Sequence, residues 1–500
     1  MSKRLRVPSR KASLSLVLVT AALLATLVIT NGAGALTHAS SASSTATTSQ
    51  TLGSSDARAP SLVSSVGCDY TIFLNGTTLE ARQSSGAETV DSTGSDAGAF
   101  ITSLLVSHET YCVTPGDYGL SSAILIFDRG GVTLNLDPGV VMQATSNTRL
   151  LQINASPGTV IRGGEWISSG RGRVSAITIQ YGSNNSVIEQ TDVSRAGDNG
   201  ILVYDNVRPD FNLSILDNFV HDNSRYGIQA FSSASAGITG TVISGNVALD
   251  NSAGGIYTNK VSGVNIAGNV VRNTAGNGPG RIGIGVTNGH NDTVSMNQVE
   301  NMTWFGIQAY YNNNTVISDN ISMFNAGGED QSGITNDHSS FDTIVGNIVD
   351  SNGGYGVYVE RSWNVTITGN TADDNLGYGV GLYHGSLPAM GRVTISGNAC
   401  SFNGLGGIVL NSAVDDVISA NECYNNSGDG ILLYNDPGEV GSTGNLVSSN
   451  WLGNQGNAKA TQEFGIAEAN ASDGNTLVSN MFVNNTAGAV SLVGDDAASN

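Results

Sequence analysis

One short motif, repeated between Gly200 and Gly488, constrains the fold of this chain more than any other feature of its sequence. Each copy opens with Gly-Ile or Gly-Val, continues with alternating apolar and polar residues, and later reaches an Asn at a turn. The motif glycines are Gly200, Gly227, Gly255, Gly283, Gly306, Gly333, Gly356, Gly379, Gly407, Gly430 and Gly465. The matching asparagines are Asn218, Asn246, Asn269, Asn297, Asn320, Asn347, Asn370, Asn398, Asn421, Asn450 and Asn480. A period of this kind, with strand-like alternation and no helical segment, predicts one solenoid coil per copy.

The residues around each Asn indicate how the coils are held together. In Val365–Asn370 and Val393–Asn398, apolar residues alternate with polar ones, as a half-buried strand requires, and Gly-Asn then marks a turn. Neighbouring coils lie roughly 4.8 Å apart, so an Asn amide can bond to the Asn above and below it. The sequence therefore predicts an internal hydrogen-bonded Asn ladder at one corner of every coil.

These features, together with the region before the repeats, resemble the right-handed parallel β-helix proteins of the pectin-lyase-like superfamily over residues 66–500. The segments that resemble the first coils of that family are Asp69–Gly76, Ser95–Ile101, Val113–Tyr118 and Val132–Gly139. The resemblance implies an all-β, right-handed parallel β-helix solenoid of about 11–13 coils with a short N-terminal capping helix. Ser95 or Asp96 would be the N-cap of that helix. The residues expected to face the core are Phe100, Ile101, Leu104 and Leu105.

The N-terminal residues predict where the protein acts. Basic residues precede the apolar run Leu14–Ile29, and small residues follow it, which is typical of a secretory signal peptide over 1–35. An uncleaved membrane anchor is the alternative, because the run approaches the roughly 18 residues that span a bilayer. We further predict a Ser/Thr/Ala-rich linker over 36–65, an N-terminal cap and first coils over 66–150, and β-helix repeats over 151–500. The protein is thus expected to be secreted or at the cell surface.

The composition excludes one class of partner. The formal net charge is −20 at pH 7, and the chain contains 21 Lys and Arg residues. Nucleic-acid binding needs clustered basic residues, so we expect no nucleic-acid partner. An acidic surface is also typical of secreted solenoids that bind nothing.

The four cysteines form two groups. Cys68 and Cys112 both precede the repeats, and a disulfide between them is the simplest interpretation in an oxidising compartment. Cys400 and Cys423 each follow a ladder Asn by two residues on adjacent coils, so both point inward. A disulfide and two buried free thiols are both compatible with that position. No Cys/His spacing indicates zinc.

Two columns of outward-facing residues change their chemistry locally, and this is where a functional site is expected. The first outer column, four residues after each motif glycine, is Tyr204, Phe231, Asn259, Thr287, Tyr310, Asp337, Glu360, Tyr383, Asn411 and Tyr434. The second outer column, one residue further, is Asp205, Ser232, Lys260, Asn288, Tyr311, His338, Arg361, His384, Ser412 and Asn435. Stacking would group Asp337, His338, Glu360, Arg361 and His384, bordered by Tyr310, Tyr311, Tyr358 and Tyr383.

This grouping suits an acidic polysaccharide. Arg361 could neutralise a uronate carboxylate, which acidifies the C5 proton, and His338 or His384 could accept that proton. A tyrosine could return a proton or protonate the leaving oxygen, and aromatic side chains could bind sugar rings. The alternative is that these are solvated turn residues with weak surface ion pairs.

A second resemblance concerns the same residues. Gly333–His338 and Tyr355–Arg361 resemble the mannuronan C5-epimerase branch, which has Gly-Ile-Asp-Pro-His-Asp at the first position and an Arg at the second. Arg361 matches that Arg by offset. Asp337 stands where the family has His, and His338 stands where it has the second Asp. The resemblance implies activity on a uronate polymer.

The turn after each ladder Asn carries further polar residues. They are His221, Asp222, Asp250, Glu300, Asp350, Asp373 and Asp374. Such oxygen ligands suit Ca²⁺, but the same residue types are favoured in turns for local hydrogen bonding, so we predict no cofactor and keep Ca²⁺ as the alternative.

Three functions therefore remain open from the sequence. The first is a polysaccharide lyase or C5-epimerase, and the second is a non-catalytic, adhesive glycan-binding solenoid. The third is an accessory protein like the periplasmic β-helix that assists copper delivery to nitrous oxide reductase. After Gly488–Val493 no capping segment is evident. An uncovered last coil exposes strand edges, which predicts self-association through that end.

Overall fold

The computed structural model describes residues 67–86, 89–91, 95–233, 237–274, 280–325, 332–385, 391–456, 461–493 and 497–499. The predicted signal segment 1–35 and linker 36–65 lie outside these ranges. No helix in the described ranges has both the length and the apolar character needed to cross a bilayer.

A parallel sheet of 15 strands, which we call the front sheet, runs through the repeats and the coils before them. Its strands are Ile124–Phe127, Leu151–Asn154, Ile177–Gln180, Ile201–Asp205, Tyr226–Ser232, Gly254–Asn259, Ile282–Thr287, Phe305–Tyr310, Ile334–Asp337, Val357–Glu360, Tyr378–Tyr383, Gly406–Asn411, Ile431–Tyr434, Phe464–Glu468 and Gly488–Ser491. Each strand pairs with the equivalent strand of the next coil, so that Ile334 lies beside Val357 and Val357 beside Val380. Equivalent residues therefore form straight columns.

Two further rows of short strands complete each coil. The first row is Val187–Glu189, Ser214–Leu216, Val242–Ser244, Asn265–Ala267, Thr293–Ser295, Val316–Ser318, Thr343–Val345, Thr366–Thr368, Thr394–Ser396, Val417–Ser419, Leu446–Ser448, Thr476–Val478 and Ala497–Ser499. The second row is Asp192–Ser194, Phe219–His221, Val247–Leu249, Val270–Arg272, Gln298–Glu300, Ile321–Met323, Ile348–Asp350, Glu422–Tyr424, Trp451–Gly453 and Met481–Val483. Single bridges through Thr371 and Ala399 continue the second row between Ile348 and Glu422.

The remaining strands lie mainly before the repeats. They are Tyr70–Asn75, Thr78–Gln83, Thr89–Asp91, Thr110–Val113, Gly116–Leu120, Thr133–Ala144 and Val160–Ile167, with the short pair Ile238–Thr239 and Val261–Ser262. The chain thus forms an all-β parallel solenoid of about 13 coils with one short helix, which confirms the predicted fold class and coil number.

The core is a continuous stack of aliphatic side chains inside the coils. Ile334, Val357 and Val380 from the front sheet, and Ile344 and Ile367 from the first row, are all fully buried. Alternation along each strand places these residues inside and their polar neighbours outside. Each coil therefore buries its apolar side chains against the coils above and below it.

The predicted Asn ladder is present. The Nδ2 of Asn347 donates to Oδ1 of Asn370 at 2.9 Å, and Nδ2 of Asn370 donates to Oδ1 of Asn398 at 3.0 Å. The backbone N–H of Asn347 also donates to Oδ1 of Asn370 at 2.9 Å. Each amide therefore satisfies both backbone and side-chain groups of the neighbouring coil.

A second Asn ladder, which the sequence interpretation missed, lies five residues after the first. Asn325, Asn352 and Asn375 are joined by amide hydrogen bonds of 2.9 and 3.0 Å, and Asn375 continues to Asn403 at 3.1 Å. Its signal in the sequence is an Asn five positions after the ladder Asn in several coils. The two stacked amide columns thus lie at the two ends of the second row of strands.

The N-terminal end is capped as expected. The helix Ala97–Leu104 begins at Asp96, whose carboxylate accepts a hydrogen bond from the N–H of Gly98. Phe100, Ile101 and Leu105 are buried, and Leu104 packs against the core while partly buried. The predicted cap is therefore confirmed, with Asp96 rather than Ser95 as its N-cap.

The cysteines resolve into one disulfide and two thiols. Cys68 and Cys112 are joined, with Cα atoms 5.8 Å apart, as predicted. Cys400 and Cys423 are buried free thiols, which decides between the two alternatives left open by the sequence.

The C-terminal end differs from the N-terminal end. Met481, Leu492 and Val493 near the last coils are exposed, and no helix follows Gly488–Ser491 in the described part of the chain. Self-association through this end stays a prediction.

Candidate functional site

The first outer column is confirmed by the strand register of the front sheet. Tyr310 lies beside Asp337, Asp337 beside Glu360, and Glu360 beside Tyr383. All four side chains are partly exposed on the outer surface. The sequence therefore identified one continuous column across four coils.

Three residues of the second outer column, Tyr311, His338 and Arg361, stay on the outer surface because of their backbone conformation. Other members of that column are buried, which corrects their predicted outward orientation: Asp205, Ser232, Ser412 and Asn435. Tyr311, His338 and Arg361 have φ values of 51°, 49° and 46°, in the left-handed region. In an extended strand, neighbouring side chains point to opposite faces. The left-handed turn instead leaves His338 on the outside next to Asp337, and Arg361 next to Glu360.

His384 departs from this pattern, which corrects its predicted place in the outer group. In its coil the left-handed residue is Gly385, with φ of 68°, one position later. The side chain of His384 is accordingly turned inward and is 1% exposed, with Nε2 lying 3.5 Å from Oδ2 of the buried Asp416. His384 is therefore separated from the exposed site.

Tyr358 is also less accessible than expected. Its residue is 7% exposed, and its ring stacks on that of Tyr355 at 4.8 Å between centroids. Gly381 lies beside Tyr358 on the next strand, where an added Cβ would lie 2.8 Å from the ring of Tyr355. Tyr378 extends the stack at 5.8 Å. Tyr358 therefore belongs to a packed aromatic cluster beside the site.

His338 is held in a defined orientation by its neighbours. Its Nδ1 lies 2.5 Å from Oδ1 of Asp337, and its ring stacks on Tyr311 at 4.6 Å between centroids. Burial raises the pKa of the Asp337 carboxyl, while His338 and Arg361 oppose that rise. Asp337 accepts the Nδ1 hydrogen in the neutral tautomer with Nδ1 protonated, which leaves Nε2 able to accept a proton.

Arg361 is the cation of the site. Its Nη1 lies 3.1 Å from Oε1 of Glu360, and its guanidinium carbon is 5.8 Å from the ring centroid of Tyr383. Burial lowers the pKa of Arg361, but Glu360, Tyr383 and Asp337 raise it overall, so the group is a permanent cation. Its side chain is 39% exposed and can be reached by a ligand.

A residue missed by the sequence interpretation completes this edge. The hydroxyl of Tyr383 donates to Oε1 of Glu439 at 2.7 Å, and Ser412 Oγ donates to Oε2 of Glu439 at 2.9 Å. This hydrogen bond, with burial, raises the pKa of Tyr383 to about 12. Glu439 lies in the 35-residue interval between Gly430 and Gly465, whose extra length was the only signal for an added loop.

Buried carboxyls lie inside the coils near the same edge. Oδ1 of Asp342 accepts from the N–H of Thr315, and Oδ2 accepts from Nδ2 of Asn336, both at 2.6 Å. Burial raises the pKa of Asp342 and of Asp292 to about 7, and that of Asp416 to about 8. These groups support the turn from within and do not face the outer surface.

The side chains of the turn considered for Ca²⁺ are engaged in hydrogen bonds, most of them to the neighbouring coil. Asp373 Oδ1 accepts from the N–H of Ser401 at 2.7 Å. His221 lies between Asp222, at 2.7 Å from Nδ1, and Asp192, at 3.0 Å from Nε2. Within the described ranges, no three His, Cys, Asp or Glu side chains are grouped so that they could hold a metal ion.

Comparisons with solved structures give several similar chains. The mannuronan C-5 epimerase AlgE4 A-module of Azotobacter vinelandii is 16% identical with a TM-score of 0.44, covering 81% of this chain and 95% of its own. A variant of the periplasmic alginate epimerase AlgG is 18% identical with a TM-score of 0.49, covering 62% and 78%. DFA-IIIase from Arthrobacter chlorophenolicus A6 is 11% identical with a TM-score of 0.42, covering 57% and 83%. No curated protein sequence matches the chain.

Family models give the decisive comparison. A model described as periplasmic copper-binding protein (NosD) matches residues 248–388. The model described as right-handed beta helix region matches residues 121–271 and 332–500, which is more than half of the chain. The register, the Asn ladders and this match agree, and the chain belongs to the right-handed β-helix family.

Proposed function

We propose that the protein binds an acidic polysaccharide on the outer surface of the front sheet and abstracts the C5 proton of a uronate residue, as a lyase or C5-epimerase. The site, which we call the outer patch, consists of Tyr310, Tyr311, Asp337, His338, Glu360, Arg361 and Tyr383. The observation that carries the proposal is the pairing of the oriented Asp337–His338 couple with Arg361 on the adjacent coil. Adjacent coils are about 4.8 Å apart, so one sugar residue can contact both.

His338 is the proposed base. Asp337 accepts the hydrogen on Nδ1, which fixes the ring and stabilises the imidazolium formed when Nε2 takes a proton. The stacking on Tyr311 restricts the ring further. His384, the other candidate base, is buried beside Asp416 and does not reach a substrate on the outer surface.

Arg361 is the proposed electrophilic group. A guanidinium beside the substrate carboxylate neutralises its charge, which acidifies the C5 proton and stabilises the enolate formed when that proton leaves. Glu360 orients Arg361 through an ion pair, with 3.1 Å between Oε1 and Nη1. This carboxylate also offsets the positive charge of the guanidinium, so a substrate carboxylate must share the guanidinium with Glu360. The aromatic rings of Tyr310 and Tyr311 supply faces for sugar binding.

Two outcomes follow from the same enolate. In elimination, the C4–O4 bond breaks, a C4–C5 double bond forms, and a tyrosine hydroxyl gives O4 its proton. In epimerisation, the C4–O4 bond is retained and a tyrosine hydroxyl gives its proton to C5 on the opposite face. Among the three tyrosines of the outer patch, Tyr383 is a weaker candidate proton donor than Tyr310 or Tyr311. Its hydroxyl hydrogen is bound to Glu439, and its pKa is raised to about 12.

The test uses alginate, pectate and glycosaminoglycans as probes. We expect one polymer either to develop the ultraviolet absorbance of an unsaturated uronate or to change its C5 configuration by NMR. His338→Ala should lose this turnover and keep binding, because the base is removed and Arg361 remains. His290→Ala is the control, because His290 is an exposed turn histidine hydrogen-bonded to Asn291. Full turnover by His338→Ala contradicts this mechanism.

A second function, glycan binding without turnover, is favoured by the aromatic surface of the front sheet. Tyr355, Tyr358 and Tyr378 form a stack beside the outer patch, and Tyr355 and Tyr378 are its partly exposed members. In this case binding would occur with no change in the polymer, and His338→Ala would match the wild type. The copper-accessory function is supported by the family model that matches residues 248–388, but within the described ranges no three His, Cys, Asp or Glu side chains are grouped to hold a metal ion. The signal arrangement at 1–35 supports action outside the cytoplasm in either case.

A further inference from the structure

We propose a second subsite for the same acidic polysaccharide, on the opposite edge of the front sheet from the outer patch. It consists of Arg225, Tyr226, Tyr257, Arg281 and Trp304, which we call the arginine–aromatic patch. The inference rests on the proposed function for the class of ligand, but its residues and its test are separate from those of the outer patch.

Two exposed arginines lie on aromatic faces in this patch. The guanidinium carbon of Arg281 is 4.7 Å from the ring centroid of Trp304, and that of Arg225 is 5.5 Å from the ring centroid of Tyr226. A guanidinium that stacks on a ring keeps its edge N–H groups free to donate to a carboxylate or sulfate. Trp304 is 40% exposed, so part of its surface can contact a sugar.

A pair of tyrosines extends the aromatic surface across neighbouring coils. The rings of Tyr226 and Tyr257 stack at 4.7 Å between centroids, with an angle of 9° between their planes. Tyr257 lies beside Gly285 on the next strand, where an added Cβ would lie 2.7 Å from Cδ2 of Tyr257. The Tyr257 ring therefore packs over Gly285, where a larger residue would clash with it. This packing orders the aromatic surface in the absence of a ligand.

The charge of the patch points to an anionic ligand. Arg281 forms no ion pair with the residues that the structure describes, and Arg225 has only Asp198, at 3.7 Å. The protein as a whole carries a formal net charge of −20 at pH 7. Exposed cationic groups held on aromatic faces are thus a local exception, and they combine the two features that recognise an acidic sugar: a cation for its charge and a ring for its apolar face.

The position of the patch fits one polymer that contacts both sites. Thr287, six residues after Arg281, is joined through Tyr310 and Asp337 to Glu360, which is three coils further. With about 4.8 Å per coil and about 3.3 Å per strand residue, Arg281 and Arg361 are roughly 27 Å apart. A chain that spans this distance gains affinity from simultaneous contact, whereas a shorter one contacts only one site at a time.

The experiment measures binding of size-fractionated oligogalacturonates and oligomannuronates to the full chain by calorimetry. Arg281→Ala should weaken binding of oligomers longer than about 27 Å by about tenfold and leave short oligomers that occupy the outer patch unaffected. Arg272→Ala is the matched control, because Arg272 is an exposed arginine on the second row. Circular dichroism and thermal midpoints check that each variant is folded.

Trp304 provides an independent signal. Long oligomers should change the tryptophan fluorescence of the wild type, and Trp304→Phe should abolish that change. Unchanged affinity of Arg281→Ala for long oligomers, together with loss of binding in Arg361→Ala, overturns this subsite and leaves the proposed function intact. Loss of binding in Arg281→Ala with full binding by Arg361→Ala supports the subsite and contradicts binding at the outer patch. If no oligomer binds the wild type, both proposals are overturned.

Discussion

The inner corners of the coils and the outer columns of the front sheet are built by the same repeat, yet they vary in opposite ways. Asn347, Asn370 and Asn398 repeat one residue with nearly identical hydrogen bonds from coil to coil. In the first outer column, the side chain changes from the phenol of Tyr310 to the carboxylates of Asp337 and Glu360 within three coils. Uniform columns maintain the stack, and the local departure from uniformity marks the candidate site.

The buried carboxyls break the uniformity of the interior, and they give the largest expected effect on stability. Asp342 has a pKa of about 7 in the folded protein, against an ordinary value of 3.8. In the folded protein, Asp342 keeps its proton to higher pH than in the unfolded chain. Its contribution to the free energy of unfolding is therefore greatest below about pH 4 and declines as the pH rises to about 7. Asp342→Asn removes this dependence and should stabilise the protein by about 4 kcal/mol at pH 8 and little at pH 4.

The neighbouring amide can accommodate this change. Oδ1 of Asn336 is buried without a hydrogen-bond partner among the described residues, so a rotated Asn336 amide can accept from the NH₂ group that the substitution introduces. Denaturant midpoints of the variant and the wild type at pH 4 and pH 8 measure the effect. An equal difference at the two pH values contradicts a carboxyl that is neutral in the folded protein.

Interrupting the Asn ladder should have the next largest effect. Asn370→Ala removes the Oδ1 that accepts from the N–H and Nδ2 of Asn347, and the Nδ2 that donates to Oδ1 of Asn398. The N–H of Asn347 then stays buried without this acceptor, at a cost of about 1–3 kcal/mol. Glu360→Ala is the control on the outer column, and it should cost well under about 1 kcal/mol because its ion pair is partly exposed. Unfolding in denaturant compares the two variants. Equal midpoints would mean that the ladder contributes no more than a surface charge.

The sequence predicted the features that follow from the repeat period. It missed the contacts that depend on the conformation or length of a single turn. The outer column and the first Asn ladder follow from counting residues between glycines, because coils stack in register. The burial of His384 depends on whether residue 384 or Gly385 adopts the left-handed conformation, and the repeat does not encode that choice. Glu439 reaches Tyr383 from a longer interval, across 56 residues of sequence, where no pattern predicts a contact.

The central claim is that local variation in the outer columns creates a site for an acidic polysaccharide. The most direct test is the affinity of wild type, Arg361→Ala and Arg272→Ala for alginate and pectate, measured at low and high salt. We expect the wild type and Arg272→Ala to bind one of these polymers. Arg361→Ala should lose binding while remaining folded, because the uronate carboxylates of the polymer would then face Asp337 and Glu360 without a cation. Wild-type binding should weaken as salt rises, since exposed charges are screened over about 10 Å at 0.1 M ionic strength. Equal, salt-independent binding by all three proteins, or binding by none, would contradict the claim and leave the outer patch as a solvated turn.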